Sequence, residues 1–325
     1  MSEPLLSIEN LSVRFFTYQG VVRALEGVSL HVEPGEVLGL VGETGCGKSV
    51  LARCVLRLVQ DPPGRITGGR ILFKGEDLLK ASRKRLRQVR GNDISMIFQE
   101  PMTSLDPVFT VGNQMAEVVR LHQRVDRRTA AKICAGMLEQ VRMPDPFAVL
   151  RKYPHELSGG MRQRVMIAME LSCNPALLVA DEPTTALDVT VQAQVLAILD
   201  ELTRKRGASV LFITHDLGVV AQLCNRATVM YAGRIVETAP VERLFDSPAH
   251  PYTKGLLEAV PTLEEDREEL AAIPGMVPGL VEPPGGCRFH PRCGRVMPAC
   301  SRRVPELFRV RPDHFVACHL YGAEA

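Results

Sequence analysis

An apolar run, Val37–Val41, leads the chain into Gly42, Glu43, Thr44, Gly45, Cys46, Gly47, Lys48 and Ser49, and an amphipathic stretch, Ser49–Leu58, leads it out. A strand that enters a helix through spaced glycines is the strongest constraint in the sequence. Glycines let the backbone curl until successive N–H groups point inward at an anion. The helix that starts there adds its positive end. Lys48 is placed to neutralise the β- and γ-phosphates of a nucleotide, and the Ser49 hydroxyl to ligate Mg²⁺. A ligand-free Gly-rich turn is the competing reading, but it has no need of a Lys-Ser pair at that position. All eight residues are therefore candidate nucleotide contacts, although Cys46 is expected to contribute only its backbone.

The flanking pattern fits an α/β chain. Residues 5–41 read as short strands, with the segment Thr17-Tyr-Gln-Gly20 extended, and Gly64–Asp77 as a Gly-punctuated strand pair. Ile94–Gln99 is a short apolar strand, Thr110–Met143 a helical stretch, and Ala176–Ala180 and Val210–Thr214 continuous apolar strands. Helical stretches at 160–172 and 189–206 adjoin those last two strands, and such alternation predicts a parallel sheet covered on both faces. Residues 255–285, acidic and then rich in Pro and Gly, read as an exposed connector.

Composition sets limits. Hydrophobic residues are 46% of 325 and charged residues 23%, enough apolar material for a sizeable core. The net charge of +2 gives no global field for nucleic acid. No apolar run approaches the roughly 18–20 residues of a membrane span, and the start lacks a signal-peptide pattern. A cytosolic chain that builds no pore of its own is the expectation.

Two further constellations sharpen the chemistry. Leu177–Ala180 ends in Asp181 and Glu182, and acids at a buried strand end are costly unless a cation or a function retains them. Beside a phosphate loop, Asp181 suits Mg²⁺, and Glu182 suits the orientation and deprotonation of an attacking water. His215 follows the next strand, where a parallel sheet would place it near a γ-phosphate. Ser158, Gly159 and Gly160 open a helix, so a hydroxyl and N–H groups there can take a second anion.

Through Leu157-Ser-Gly-Gly-Met-Arg-Gln163 in addition, the chain resembles the ATP-binding subunits of ABC transporters over residues 5–255. The resemblance implies a P-loop ATPase with a RecA-like core, an antiparallel β subdomain, and a helical subdomain at about 100–170. It makes Gln99 the Q-loop glutamine, which senses the γ-phosphate and helps hold Mg²⁺. Leu157–Gln163 becomes the signature, Ala186-Leu187-Asp188 the D-loop, and His215 the switch histidine. It implies head-to-tail dimers, in which ATP on one phosphate loop is covered by the partner's signature. An aromatic on adenine is also implied, with Tyr18 or Phe16 as the candidate.

The segments around Gln99, at 250–261, and over the closing Cys-rich region resemble a narrower group, the dipeptide, oligopeptide and nickel importers. That implies a second, distinct ATPase subunit, two membrane permease subunits, an extracytoplasmic solute-binding protein, and residence on the cytoplasmic face of the inner membrane. Residues 256–325 become a C-terminal extension. Five, six and seventeen residues intervene between Cys287, Cys293, Cys300 and Cys318, without a zinc-ribbon spacing. From the residues alone, zinc, an iron–sulfur cluster or no metal all remain open. The resemblance implies a 4Fe–4S cluster on the four thiolates. His290, His314 and His319 are expected to be spectators, with substitution for a cysteine ligand as the alternative.

Overall fold

A computed structural model describes residues 3–99, 105–185, 187–259 and 273–322. Ala186 of the expected D-loop and the acidic part of the expected connector lie outside the described residues. The strands, in chain order, are β1 (Leu6–Thr17), β2 (Gly20–Val32), β3 (Val37–Val41), β4 (Gly64–Phe73), β5 (Glu76–Asp77), β6 (Ile94–Ile97), β7 (Leu177–Asp181), β8 (Ser209–Thr214), β9 (Arg226–Tyr231), β10 (Arg234–Pro240), β11 (Phe308–Arg311) and β12 (His314–Val316). The chain forms two compact units. One comprises Met1–Val32, Val37–Leu79 and Ile213–Ala325, and the other Glu33–Glu36 and Lys80–Phe212.

In the first unit, β2-β1-β4-β5 form an antiparallel sheet. Thr17-Tyr-Gln-Gly20 is not extended, as the sequence suggested. It closes the β1–β2 hairpin, with Thr17 opposite Gly20 and the Thr17 hydroxyl donating to the Gly20 carbonyl at 2.9 Å. Gly20 permits the tight return because its φ of 127° is open to a residue without Cβ. In the second sheet of this unit β3 runs parallel to β9, and β10, β12 and β11 follow antiparallel.

The C-terminal segment is packed, not appended. Residues 273–285 were expected to be exposed, yet Ile273, Val277 and Leu280 lie on the core built by Val229, Tyr231, Tyr252 and Phe289. The Leu280 carbonyl also accepts the Arg23 N–H at 2.8 Å. Single apolar residues between prolines have no helical or strand period, so burial is their only signature. The few aliphatic residues after 300 are supplemented by one buried acid. The Glu237 carboxylate accepts the Ala249 N–H (2.7 Å) and the His250 N–H (2.8 Å) and pairs with His314 Nε2 (2.7 Å), joining β10, the 249–250 turn and β12. A buried charge is retained only with such a full set of partners.

In the second unit, the strand order is β8-β7-β6, with β6 and β7 parallel from Ile94 opposite Leu177 to Ile97 opposite Ala180. The helical stretch expected over 110–143 is two helices, Val111–Gln123 and Arg127–Gln140. Arg124 ends the first in the left-handed region, and the Asp126 carboxylate caps the second by accepting the Thr129 N–H at 2.9 Å. The helix Gly159–Leu171 presents Glu170, whose carboxylate accepts the Met96 N–H at 3.3 Å. Burial pushes this carboxyl up to about 7, with the Met96 N–H working against the rise. A carboxyl raised in the fold contributes stability that is full below its unfolded value of 4.5 and is lost as pH rises through 7. Glu170→Gln is therefore expected to stabilise the protein at pH 8 by on the order of 1–3 kcal/mol and to change little at pH 4.5, as read by thermal unfolding at the two pH values.

Candidate functional site

The phosphate loop belongs to the first unit. β3 ends at Val41, and the helix Lys48–Val55 begins with Gly47 at φ 109° and no side chain capping it. A helix start of this kind, entered through glycine, is the situation in which backbone N–H groups bind phosphate. Lys48 is buried, and its ammonium donates to the carbonyls of Gly42 (2.7 Å) and Glu43 (3.2 Å). A triphosphate would replace those carbonyls with stronger, charged acceptors. The loop is braced from behind. Gly233 N–H donates to the Cys46 carbonyl at 2.7 Å, and Glu43 N–H donates to the Tyr252 hydroxyl at 2.9 Å. Cys46 is fully buried, and burial raises its thiol pKa. His215, in this same unit, is exposed just before the helix Leu217–Leu223, which Asp216 caps. Tyr18 stands fully exposed on its turn, while half-exposed Phe16 lies under the Arg65 guanidinium at 5.6 Å.

The second unit carries the acids, the glutamine and the signature. Asp181 ends β7 and is buried. Glu182 sits at φ 47°, a left-handed conformation that a non-glycine residue adopts at a cost. Its Oε2 accepts from Gln99 Nε2 and from the Thr185 hydroxyl, each at 3.0 Å. Gln99 and Glu182, singled out separately in the sequence, are therefore hydrogen-bonded partners. Ser158 caps the helix Gly159–Leu171 by accepting the Met161 N–H at 3.3 Å, as the Ser-Gly-Gly pattern predicted. A Cβ at Gly160 would stand 2.7 Å from Val191 Cγ1, so the second glycine is needed for close packing. Sequence reasoning missed two members of this constellation. Thr185 had no signal beyond its place after the acids. Gln163 was part of the signature, but its buried side chain reaches the Pro183 carbonyl just after Glu182.

Among the four late cysteines, the Cys287 N–H donates to the Cys300 carbonyl at 2.8 Å, and burial pushes the Cys287 thiol up to about 11, with Cys300, Cys318 and Cys293 adding to the rise. Each sulfur takes a backbone N–H: Phe289 on Cys287, Arg295 on Cys293 (3.4 Å), Met297 on Cys300 (3.4 Å) and Leu320 on Cys318. Among the described residues, no group of three or more His, Cys, Asp or Glu is placed to hold a metal ion. The three nearby histidines are engaged elsewhere, His290 with the Cys287 carbonyl, His314 with Glu237, and His319 with the Arg303 carbonyl.

A strand–glycine loop–helix, strand-end acids and a Ser-Gly-Gly helix start together define an ABC-type ATPase. Comparison with known proteins agrees. The ABC transporter family matches residues 25–185, and the family described as oligopeptide/dipeptide transporter, C-terminal region, matches 236–300. Two solved structures share the fold. A dimeric ATP-binding cassette in a post-hydrolysis state bound to ADP and Pi is 24% identical, with TM-score 0.65, over 73% of this chain and 98% of that one. A component of an ABC transporter complex from Clostridium perfringens is 26% identical, with TM-score 0.63, over 76% and 92%. The dipeptide transport ATP-binding protein of Bacillus subtilis is 49% identical over 99% of this chain and 96% of its own. The oligopeptide transport ATP-binding protein of the same organism is 48% identical over 99% and 90%. A Sinorhizobium fredii protein named a probable peptide ABC transporter ATP-binding protein is 53% identical over 97% and 94%. The chain belongs to this family of peptide-transporter ATP-binding subunits, and it is an ATPase. No described helix is long and apolar enough to cross a membrane.

Gln163 is fully buried, and its amide donates to a carbonyl that would otherwise lose its partner. Gln163→Leu is expected to cost about 1–3 kcal/mol in denaturant unfolding, with the dependence on denaturant unchanged.

Proposed function

We propose that this chain hydrolyses ATP to drive import of di- or oligopeptides through two separate permease subunits. The observation that carries the cargo class is whole-length similarity, near 50%, to proteins named for dipeptide and oligopeptide transport. The second family match over 236–300 supports it. An extracytoplasmic solute-binding protein would deliver the peptide, and the chain would work at the cytoplasmic face of the inner membrane. The test is reconstitution of the complete transporter in liposomes with its binding protein. ATP-dependent uptake of short peptides is expected. Uptake of nickel with none of peptides would overturn the cargo, and failure to assemble with any permease would favour a soluble ABC ATPase.

Within the ATPase, Gly42–Ser49 would cradle the triphosphate, with Lys48 on the β- and γ-phosphates. Ser49, Asp181 and Gln99 would hold Mg²⁺, which when bound neutralises phosphate charge. Glu182 would orient and deprotonate the attacking water, its carboxylate aimed by Gln99 and Thr185. His215 would sense the γ-phosphate, and Tyr18 would stack on adenine. Ser158, Gly159 and Gly160 would cover ATP bound to a second, distinct ATPase subunit. The dimeric ADP-bound cassette of similar fold supports a paired arrangement. Glu182→Gln is expected to keep ATP affinity and to lower turnover by at least about a hundredfold, measured on the assembled transporter. Turnover near the parental rate would remove Glu182 from the reaction.

The four cysteines would hold a 4Fe–4S cluster, which when bound serves as a structural or redox-sensitive staple. An N–H donor on each sulfur supports thiolate ligation, although the described side chains as placed do not converge on a metal position. Anaerobically purified protein is expected to carry about four iron and four sulfide per chain. Stoichiometric zinc without sulfide would replace the cluster.

A further inference from the structure

Glu43 is an acid inside a loop that must receive a polyanion. Nothing in the Gly-x-x-x-x-Gly-Lys-Ser pattern calls for a charge at that position. An uncompensated carboxylate there would repel phosphate across a few ångströms.

Its compensation comes from the far end of the chain. The Arg292 guanidinium meets Glu43 in a two-point fork, Nη1 to Oε2 at 2.8 Å and Nη2 to Oε1 at 3.1 Å. Its other donors are spent on the Tyr231 hydroxyl (3.3 Å) and on the carbonyls of Pro274 (2.9 Å) and Ile273 (3.1 Å). That is five N–H donors with five acceptors, the full capacity of the group. The Arg292 side chain is only 5% exposed, and its guanidinium lies over the Tyr231 ring at 5.8 Å. The turn that carries it, His290–Arg292, is held between Cys287 and Cys293 by the His290 N–H on the Cys287 carbonyl and the Cys293 N–H on the His290 carbonyl. The other end of Glu43 is fixed as well, by its N–H on Tyr252 and its carbonyl on Lys48. Arg292 therefore sets both the charge and the pose of a residue whose backbone touches the phosphate-binding lysine.

We infer that Arg292 is a positioning residue for nucleotide binding: by neutralising Glu43, the C-terminal region makes the phosphate loop receptive to ATP. The inference rests on Gly42–Ser49 being the ATP loop, but not on what the cysteines hold.

The test measures ATP affinity of the full chain with a fluorescent ATP analogue, and KM and kcat on the assembled transporter. Arg292→Gln is expected to raise Kd and KM about tenfold with kcat within about twofold. A purely structural arginine would lower the unfolding temperature and leave Kd unchanged. Arg292→Lys, which keeps the charge, is expected to hold Kd within about threefold. The deciding variant combines Arg292→Gln with Glu43→Gln. It removes both partners, which is far milder than stranding one, and is expected to restore Kd to within about threefold of the parent. Parental Kd in Arg292→Gln, or a double variant no better than the single, overturns the inference. Lys48→Ala separates the underlying reading, because parental affinity in that variant would mean that ATP binds elsewhere.

Discussion

The Lys48 ammonium resting on the Gly42 and Glu43 carbonyls is the contact around which the first unit is arranged. A buried ammonium needs acceptors on every side, and the loop must curl to bring its own carbonyls round. That curl admits no Cβ at two points. One at Gly42 would come within 2.2 Å of the Met230 carbonyl, and one at Gly47 within 2.9 Å of the Ala24 carbonyl. The β9–β10 hairpin, β2 and the loop are thus in backbone contact, and the loop's shape is set by the scaffold behind it. Preorganisation of this kind spares the ordering cost at the moment of binding.

The second unit uses a different device. Glu182 leaves β7 in a left-handed conformation, which turns its carboxylate back toward Gln99 and Thr185. The strain is held by surrounding bonds, among them Gln163 on the very next carbonyl and the Thr185 N–H on the Glu182 carbonyl (3.2 Å). Gln163 comes from the helix that Ser158 opens, so one buried hydrogen bond ties that helix to the loop after the acids.

How much of this the sequence disclosed follows from range. The phosphate loop, the strand-end acids and the Ser158 cap are local patterns, each satisfied within a few residues, and they were legible. Thr17–Gly20 misled because Thr and Tyr favour strands, while the reversal depends on cross-strand pairing and one glycine. The break at 124–126 was hidden inside a helical composition, although Asp126 is an ordinary cap. Residues 273–285 misled in part, because three isolated apolar side chains settle on the core while their neighbours stay exposed, a pattern that composition does not report. The bond between Arg292 and Glu43 spans 249 positions and has no periodic trace at all.

That range also changes what the C-terminal region is. Its Phe289 completes an aromatic cluster with Tyr231 and Tyr252, ring centres 5.1 and 5.3 Å away, and Tyr252 is the residue that holds the Glu43 N–H. Arg288, its side chain almost wholly buried, donates to Glu26 and to the carbonyl of Ala232, the residue before Gly233, whose N–H braces Cys46. Arg292 closes the set on Glu43. Three consecutive contacts along one short segment thus end on the loop or on its immediate support. A segment that merely decorated the cassette would bury its own side chains among themselves. This one places an aromatic ring and two arginines against Tyr252, the β9–β10 hairpin and Glu43, so it is part of the scaffold behind the Gly42–Ser49 loop.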